Sequence, residues 1–287
     1  MIPAAFEYER ATSIDDALAR LQRADGAAKL IAGGHSLVPL MKLRLSEPAR
    51  LIDIARIPEL AGIRERDGDI EIGAATVHHD VATSALIRHR CPMLAEAASE
   101  IGDPQVRHRG TLGGSLAHAD PAADYPAVVL ALDATIQLRG PKGEREVPAR
   151  NFFKDLLTVD LAADEIIVSV RFRPVRSSGY SKLHQRASHF AIVGVAAALT
   201  VADATIQAAR IGLTGASPHA VRLAKVEAAL TGRQLSDEII QSASKLAGSE
   251  LASVNADLHA GEEYRRAMIP VFTRRALEKA RSRTESR

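Results

Sequence analysis

The chain has 287 residues, enough for two domains of ordinary size or one large domain. Hydrophobic residues make up 46% and charged residues 25%, which is typical of a folded globular protein and excludes a disordered or fibrous chain. The 37 basic and 35 acidic residues leave a net charge of +2, so the charge balance does not indicate binding to nucleic acid or to an anionic membrane. The single cysteine, Cys91, excludes an internal disulfide and any four-cysteine zinc or iron–sulfur site built from this chain.

The N-terminal and apolar segments bear on where the protein works. The first ten residues contain no basic start followed by an apolar core, so no signal peptide is expected. No apolar run approaches the ~20 residues that a helix needs to span a bilayer. We therefore expect a cytoplasmic protein without a membrane span.

The first predicted unit alternates helices and strands. Ser13, followed three residues later by Asp16, predicts the start of a helix that runs to about Arg23. The elements expected after this helix are a strand at 29–32, a glycine turn at 33–34, a short helix at 37–45 and a strand at 51–54. The unit therefore contains a strand that ends in a glycine turn in front of a helix.

A second unit begins near residue 57 and ends at 173–179, where Pro, Ser and Gly indicate a domain boundary. Residues 102–121 are rich in Gly, Asp and His and are expected to be irregular, and an irregular stretch of this length is usually functional. The adjacent His78 and His79 point apart and are expected at the surface or in a helix cap. The regular elements expected in this unit are a strand at 70–73, helices at 77–84, 93–100 and 125–132, a hairpin of 135–138 with 145–147, and a strand at 166–172.

The last part of the chain predicts a hairpin followed by helices. Two apolar strands, at 192–201 and 205–214, flank a short turn. Three helices are expected at 221–230, 237–247 and 262–281. The last helix has a basic face, which we interpret as a solvated face rather than a nucleic-acid arm because no aromatic or glycine pattern accompanies it.

Several common catalytic and nucleotide-binding motifs are missing from the sequence. It contains no G-x-G-x-x-G after a strand, no P-loop, no G-x-S-x-G elbow and no H-E-x-x-H metal motif. Rossmann-type and P-loop nucleotide binding therefore lose their main support. No residue is singled out as catalytic or as a metal ligand.

A glycine-rich loop at residues 32–37 stands between a predicted strand and a predicted helix and reads Ala-Gly-Gly-His-Ser-Leu. Glycine permits a positive φ and a close approach of the backbone, so successive N–H groups can face an anion there. The hydroxyl of Ser36 can add a further donor. An ordinary strand-to-helix turn accounts for the same residues equally well, so both interpretations stay open.

A second glycine-rich loop spans residues 109–124, within the stretch that is expected to be irregular. Its backbone N–H groups can hold a second anionic group. Asp120 and Asp124 can accept hydrogen bonds from ribose or ribityl hydroxyls, and Asp124 also suits the cap of the following helix. The glycines, hydroxyls and carboxylates of interest in this loop are Gly110, Thr111, Gly113, Gly114, Ser115, Asp120 and Asp124.

Two separate loops of this kind indicate a long ligand with a diphosphate, and without a Rossmann motif a flavin dinucleotide on another fold fits best. The motifs A-G-G-H-S-L at 32–37, T-L-G-G-S at 111–115 and A-D-P-A-A-D at 119–124 resemble those of the FAD-binding medium subunit of the molybdenum hydroxylase family. This family includes carbon monoxide dehydrogenase and xanthine dehydrogenase. The likeness extends over essentially the whole chain.

The resemblance implies an α+β fold in two domains. A two-part FAD-binding domain of the vanillyl-alcohol-oxidase (PCMH) type is expected at residues 1–175, with its parts at about 1–55 and 56–175. A C-terminal α+β domain of the carbon monoxide dehydrogenase flavoprotein type is expected at 176–287. The resemblance places FAD, bound noncovalently, in the cleft between the parts.

The resemblance also implies which residues contact the cofactor. Residues 32–37 correspond to the segment along the FAD diphosphate, and Asp124 corresponds to a carboxylate that contacts FAD. Ile101 and Ile167 correspond to contacts with the flavin, and Lys182 corresponds to a lysine beside it. The cofactor residues expected in this way are Leu30, Ile31, Ala32, Gly33, Gly34, His35, Ser36, Leu37, Ile101, Gly110, Thr111, Gly113, Gly114, Ser115, Asp120, Asp124, Ile167 and Lys182.

Two positions depart from the family pattern, and the role of one further residue stays open. Ser115 stands where the family typically has Asn, and Phe190 stands where carbon monoxide dehydrogenase has a Tyr near the flavin. His35 either influences the flavin or makes a structural hydrogen bond in its loop.

By resemblance, the chain is an oxidoreductase subunit that carries electrons on FAD. A large subunit with a molybdenum cofactor oxidises the substrate, and a small subunit with [2Fe–2S] clusters passes the electrons to this chain, which delivers them to an external acceptor. The implied assembly is a dimer of heterotrimers, and the single cysteine agrees with clusters held elsewhere. A stand-alone flavin oxidase and a fold relative without redox activity remain as alternatives.

Overall fold

Residues 2–284 are described by the computed structural model, so residue 1 and residues 285–287, the outermost ends of the predicted domains, lie outside the described residues. The described residues form sheets of three, five, four and two strands together with α-helices. Among them, none of the helices combines the length and the apolar character that crossing a membrane requires.

The first sheet is parallel and belongs to the first predicted unit. Its elements are β1 (Glu7–Arg10), α1 (Ile14–Arg23), β2 (Ala28–Ile31), α2 (Leu37–Lys42) and β3 (Arg50–Asp53). The strand order is β1-β3-β2. The Ser13 hydroxyl caps α1 by accepting a hydrogen bond from the Asp16 amide at 3.1 Å, as the sequence predicts. Ala17, Leu18 and Leu21 bury the inner face of this helix.

The second sheet is antiparallel and forms the middle of the chain. Its strands and a small neighbouring hairpin are β4 (Ile63–Arg66), β5 (Asp69–Gly73), β6 (Thr135–Gly140), β7 (Gly143–Pro148), β8 (Phe153–Asp155), β9 (Thr158–Val159) and β10 (Ile166–Phe172). The order of the five-stranded sheet is β4-β5-β10-β6-β7, and β8 pairs with β9. The helices of this part are α3 (His78–Thr83), α4 (Ala85–Arg90), α5 (Pro92–Ser99), α6 (Pro104–Arg107), α7 (Leu112–His118), α8 (Asp124–Ala131) and α9 (Ala149–Phe152).

The expectation that residues 102–121 are irregular is wrong, because α6 and α7 lie within them. Asp103 caps α6 by accepting from the Val106 amide at 2.8 Å. Thr111 caps α7 by accepting from the Gly114 amide at 3.2 Å. The Thr111 cap and the burial of Leu112 stabilise α7, whose glycines disfavour a helix.

The third sheet belongs to the C-terminal part of the chain. Its strands, which pair in sequential antiparallel order, are β11 (Ser178–His184), β12 (Ala191–Ala202), β13 (Thr205–Thr214) and β14 (Val221–Arg222). The helices of this part are α10 (Ala224–Leu230), α11 (Asp237–Ser244) and α12 (Glu262–Ser282). The predicted helix start at residue 221 is wrong, since Val221 and Arg222 pair with β13 before α10 begins.

The C-terminal sheet packs between two helices. On one face, Tyr180 and Ala196 share a buried core with Tyr125 and Val128 of α8. On the other face, α12 packs against β11 and β12, and its buried side chains join a core cluster with Val193 and Val195 of β12. The predicted domain bounds, near residues 55 and 175, stay predictions, but the two predicted domains share a continuous buried core across α8.

Candidate cofactor site

A cavity of about 840 Å³ lies between the first sheet, α7 and the start of α8, and the C-terminal part also contributes to its wall. Every residue predicted from the sequence to contact the cofactor lines this cavity, with the exception of Lys182. The structure therefore brings together two loops, 32–37 and 110–115, that are far apart in the sequence. We call them the first loop and the second loop.

The first loop offers unused backbone donors to the cavity. Within residues 2–284, the amides of residues 33–36 donate to no other group, although the Gly34 carbonyl accepts from Val38 at 2.9 Å. Gly34 has a φ of +73°, a conformation that glycine adopts without steric cost. The Ser36 side chain does not cap α2, so its hydroxyl is also free to meet a ligand.

His35 makes a hydrogen bond inside the first loop. Its Nδ1 lies 2.9 Å from the carbonyl oxygen of Gly33, and because a carbonyl only accepts, Nδ1 carries the proton. The structure thus shows the structural hydrogen bond, which is one of the two roles that the sequence leaves open for His35.

The second loop is tied to the rest of the fold by its own amides. The Leu112 amide donates to the Thr76 carbonyl at 3.0 Å, and the Gly113 amide donates to the Ala74 carbonyl at 2.8 Å. A Cβ on Gly113 would lie 2.5 Å from the Ala74 Cβ, so this position admits only glycine. The Ser115 hydroxyl of the second loop therefore faces the cavity, while the Leu112 and Gly113 amides hold the loop in place.

The two loops also touch each other. A Cβ on Gly33 would overlap the carbonyl oxygen of Arg109 and lie 2.7 Å from the Gly110 Cα. Close backbone contact at this point requires a glycine in the first loop. The cavity wall is continuous where the two loops meet.

An acidic group closes another side of the cavity. Asp124, the first residue of α8, is 4% exposed, and its carboxylate accepts a hydrogen bond from the Tyr180 hydroxyl. Lys182 Nζ lies 2.8 Å from one carboxylate oxygen of Asp124 and also donates to the Glu100 carbonyl at 2.8 Å. Burial raises the pKa of Asp124, and the Lys182 ammonium opposes this effect.

Lys182 and Asp120 differ in their position relative to the cavity. Lys182 lies behind Asp124 and does not line the cavity. Asp120 does line the cavity, and one of its carboxylate oxygens accepts from the Ala122 amide at 2.8 Å in a turn before α8. Its other oxygen is left for a ligand.

Sequence reasoning missed part of the cavity wall, including His78. The expected surface position is wrong for this residue, which is 4% exposed and whose amide donates to the Gly110 carbonyl at 2.9 Å. Burial, followed by unfavourable electrostatic interactions with His35 and Arg107, lowers the pKa of His78 to about 3. No local signal reveals this burial, because it depends on contact with the second loop.

Further parts of the wall come from residues 157–159, 161–166 and 188–190, which carry no recognisable motif. Phe190, one of the two departures from the family pattern, lines the cavity and is 48% exposed. Among residues 2–284, no cluster of three or more His, Cys, Asp or Glu side chains is arranged to hold a metal ion. Burial raises the pKa of the Cys91 thiol to about 12.

Comparison with known proteins places this geometry in a family. The model of FAD-binding domains in molybdopterin dehydrogenases matches residues 4–174, and the model of carbon monoxide dehydrogenase flavoprotein C-terminal domains matches residues 178–280. The carbon monoxide dehydrogenase medium chain of Hydrogenophaga pseudoflava is 41% identical over 287 residues, covering 99% of each chain. The nicotine 6-hydroxylase medium subunit of Paenarthrobacter nicotinovorans is 36% identical over 282 residues, covering 98% of this chain and 99% of that one.

A solved structure gives the same answer for the fold. Carbon monoxide dehydrogenase from H. pseudoflava, in a form that lacks the Mo-pyranopterin moiety of its cofactor, contains a chain that superposes with a TM-score of 0.94 at 42% identity over 99% of both chains. The predicted α+β fold, an FAD-binding domain followed by a C-terminal domain, is confirmed, as is FAD as the cofactor of the family. The chain belongs to the FAD-binding medium subunits of the molybdenum hydroxylases, a family of oxidoreductases.

Proposed function

We propose that this chain binds FAD noncovalently in the described cavity and carries electrons from an iron–sulfur partner subunit to an external acceptor. The observation that carries the proposal is the meeting of both predicted loops at one cavity, with the amides of residues 33–36 unused. Free amides favour an anion such as a diphosphate. The cavity is also large enough for a cofactor-sized ligand.

Each wall of the cavity has a role in this proposal. The first loop would hold the diphosphate, with Thr111 and Ser115 of the second loop as further residues of that part of the cavity wall. Asp120 and Asp124 accept hydrogen bonds from sugar or ribityl hydroxyls, for which a carboxylate has acceptor capacity to spare. Ile101 and Ile167 offer apolar contact to the flavin ring. FAD, when bound, supplies a ring that accepts and releases electrons singly or in pairs.

The proposed partners are a large subunit with a molybdenum cofactor and a small subunit with [2Fe–2S] clusters, in a dimer of heterotrimers. Two relatives carry the words medium chain or medium subunit in their names, which supports a subunit of a larger assembly. The chain has one cysteine, too few to ligate an iron–sulfur cluster with thiolates. A cytoplasmic location remains part of the same proposal.

Reconstitution of the purified chain with FAD tests the cofactor claim. We expect absorption bands at ~370 and ~450 nm, about one FAD per chain, and release of the cofactor on acid precipitation, as for a separable redox group. A chain that takes up no FAD under any condition is better described as a fold relative without redox activity.

Co-expression with the two partner subunits tests the electron-transfer claim. In the purified assembly, substrate should bleach the flavin absorption, whereas the FAD-loaded chain alone should not respond to the same substrate. Turnover of an organic substrate by the chain alone, with only an electron acceptor added, would favour the stand-alone flavin oxidase instead.

A further inference from the structure

The cavity wall at residues 121–124 is held from behind by the C-terminal sheet. We call residues 121–124 the wall segment, because Ala123 and Asp124 line the cavity. The Pro121 carbonyl accepts from the Gly215 amide at 2.7 Å. The Ala122 carbonyl accepts from the Ala191 amide at 3.1 Å. Both donors belong to the C-terminal part of the chain, and neither lines the cavity.

Thr214, the last residue of β13, adds a side-chain donor to the same segment. Its Oγ1 lies 2.9 Å from the carbonyl oxygen of Pro121 and 2.7 Å from that of Ala123. The side chain is fully buried, so the hydroxyl proton is shared between these two carbonyls with no competition from bulk water. A hydroxyl between two carbonyls fixes the direction in which the segment enters α8.

The carboxylate of Asp124 is held from the same sheet. It accepts from the Tyr180 hydroxyl and the Lys182 ammonium, both on β11. Between β11 and β13, Gly194 leaves the room that these donors need. A Cβ there would lie 2.5 Å from the Tyr180 hydroxyl oxygen and 2.8 Å from Thr214 Cγ2.

Acceptors on four consecutive residues, 121–124, thus meet donors from the C-terminal sheet and the residue that follows β13. We propose that Thr214 is a positioning residue for FAD binding, which acts through the wall segment without touching the cavity. Together with Tyr180, it makes FAD affinity depend on the C-terminal sheet. This inference rests on the proposed FAD site and deepens it.

A substitution that keeps the shape of Thr214 but removes its hydroxyl tests the inference. Thr214→Val leaves the Ala123 carbonyl without its side-chain donor and leaves the Pro121 carbonyl with the Gly215 amide alone, so we expect FAD affinity to fall about tenfold. Thr214→Ser restores the hydroxyl and should return the affinity to within about twofold of the wild type. FAD affinity is measured by titration of the apoprotein, with far-UV circular dichroism and thermal unfolding as checks on the fold.

Thr273 in α12 provides the matched control. It is equally buried, but its hydroxyl has no hydrogen-bond partner among the described residues. Thr273→Val should therefore leave FAD affinity unchanged. An unchanged affinity in Thr214→Val, or an equal loss in Thr273→Val, contradicts the inference, because either result assigns Thr214 a merely space-filling role.

Hydrogen exchange of the wild-type chain gives a second test that needs no variant. If the wall segment links FAD to the C-terminal sheet, FAD should slow exchange at the amides of Ala191 and Gly215, which donate to that segment. Protection of the amides of residues 33–36 without any at Ala191 and Gly215 overturns the inference, whether or not Thr214→Val folds. A wild-type chain that binds no FAD contradicts the proposed function itself, and the inference falls with it.

Discussion

The first and second loops have similar glycine-rich sequences, but their backbone amides differ in whether they are hydrogen-bonded to the protein. In the first loop, the amides of residues 33–36 have no acceptor within residues 2–284. In the second loop, the amides of Leu112, Gly113 and Ser115 all donate to carbonyls of the fold. A glycine motif therefore serves two ends: it exposes donors in one loop, and it permits close packing in the other.

This difference separates ligand binding from folding. A loop whose amides are free can shift when the ligand is absent, because few hydrogen bonds fix it. A loop whose amides are bonded keeps its shape in the apoprotein and belongs to the folded core. Gly113 packs directly on Ala74, whereas the atoms nearest to a Cβ on Gly34 would be side-chain atoms of Val38 and Ile31. Substitutions at these glycines should therefore act on different quantities.

The largest effect is expected for Gly113→Ala. The new Cβ would lie 2.5 Å from the Ala74 Cβ and 2.9 Å from the Ala74 carbonyl oxygen, so β5 or α7 must move. We expect the free energy of unfolding of the apoprotein to fall by about 3 kcal/mol, as for an overpacked core. Urea denaturation of the FAD-free chain measures it.

Gly261→Ala is the control for this prediction. Gly261 precedes α12, and a Cβ there would meet no atom within 4 Å. Because Gly261 is the N-cap of α12, where Gly is preferred to Ala, its substitution should lower the free energy of unfolding by about 1 kcal/mol or less. If Gly113→Ala proves as mild as the control, the second loop is not part of the folded core as described.

We also expect the contact between His78 and the second loop to make the free energy of unfolding depend on pH. His78, whose amide holds the Gly110 carbonyl, has its pKa lowered from 6.5 to about 3 by burial. Between these values the unfolded chain binds a proton that the native chain does not, so the free energy of unfolding falls as the pH drops. From pH 6.5 to pH 5 this loss is about 1.5 kcal/mol for one such group.

His78→Leu removes this titration. Urea denaturation of the apoprotein at several pH values between 6.5 and 5 should give a shallower fall of the free energy of unfolding for the variant than for the wild type. Parallel curves would mean that the native ring accepts a proton in this range, and that His78 is not sealed against the second loop.

Much of the fold follows from local sequence signals. The Ser13 cap predicts α1, and Pro126 does not interrupt the α8 prediction because it falls in the first turn. Two strands that were not predicted lack such signals. The strand β1 carries three charged residues in four, and β11 reads as a polar segment although most of it is buried against β12.

The sequence predicts which residues form the candidate site, but not which of their backbone amides are free to bind a ligand. Both loops could be located because glycines and hydroxyls beside predicted elements are a local pattern. Whether an amide is free depends on its partner, and the partner of Gly113 is Ala74, 39 residues away. The position of Lys182 is not readable from the sequence for the same reason. Its ammonium group donates to the Asp124 carboxylate, and the residue does not line the cavity.

The smallest effect on the folded chain is expected in the first loop, for Gly34→Ala. The φ of +73° at Gly34 is strained for alanine, and the new Cβ would lie 3.2 Å from Val38 Cγ2. Because free amides leave this loop able to relax, the apoprotein should lose less than about 0.5 kcal/mol of unfolding free energy. FAD binding requires the native loop, so the affinity should fall about fivefold, which corresponds to about 1 kcal/mol.

Gly68→Ala supplies the comparison that isolates the first loop. Gly68 has a φ of +82°, a Cβ there would meet no atom within 4 Å, and it does not line the cavity. It therefore carries the same backbone strain without the ligand, and its substitution should leave FAD affinity unchanged. Equal FAD affinities for Gly34→Ala and the wild type would show that the first loop does not hold the diphosphate through its backbone. If Gly34→Ala instead destabilised the apoprotein as much as Gly113→Ala, the first loop would be as rigid as the second. Only a loop that can relax in the apoprotein avoids the strain of the new Cβ until FAD binds.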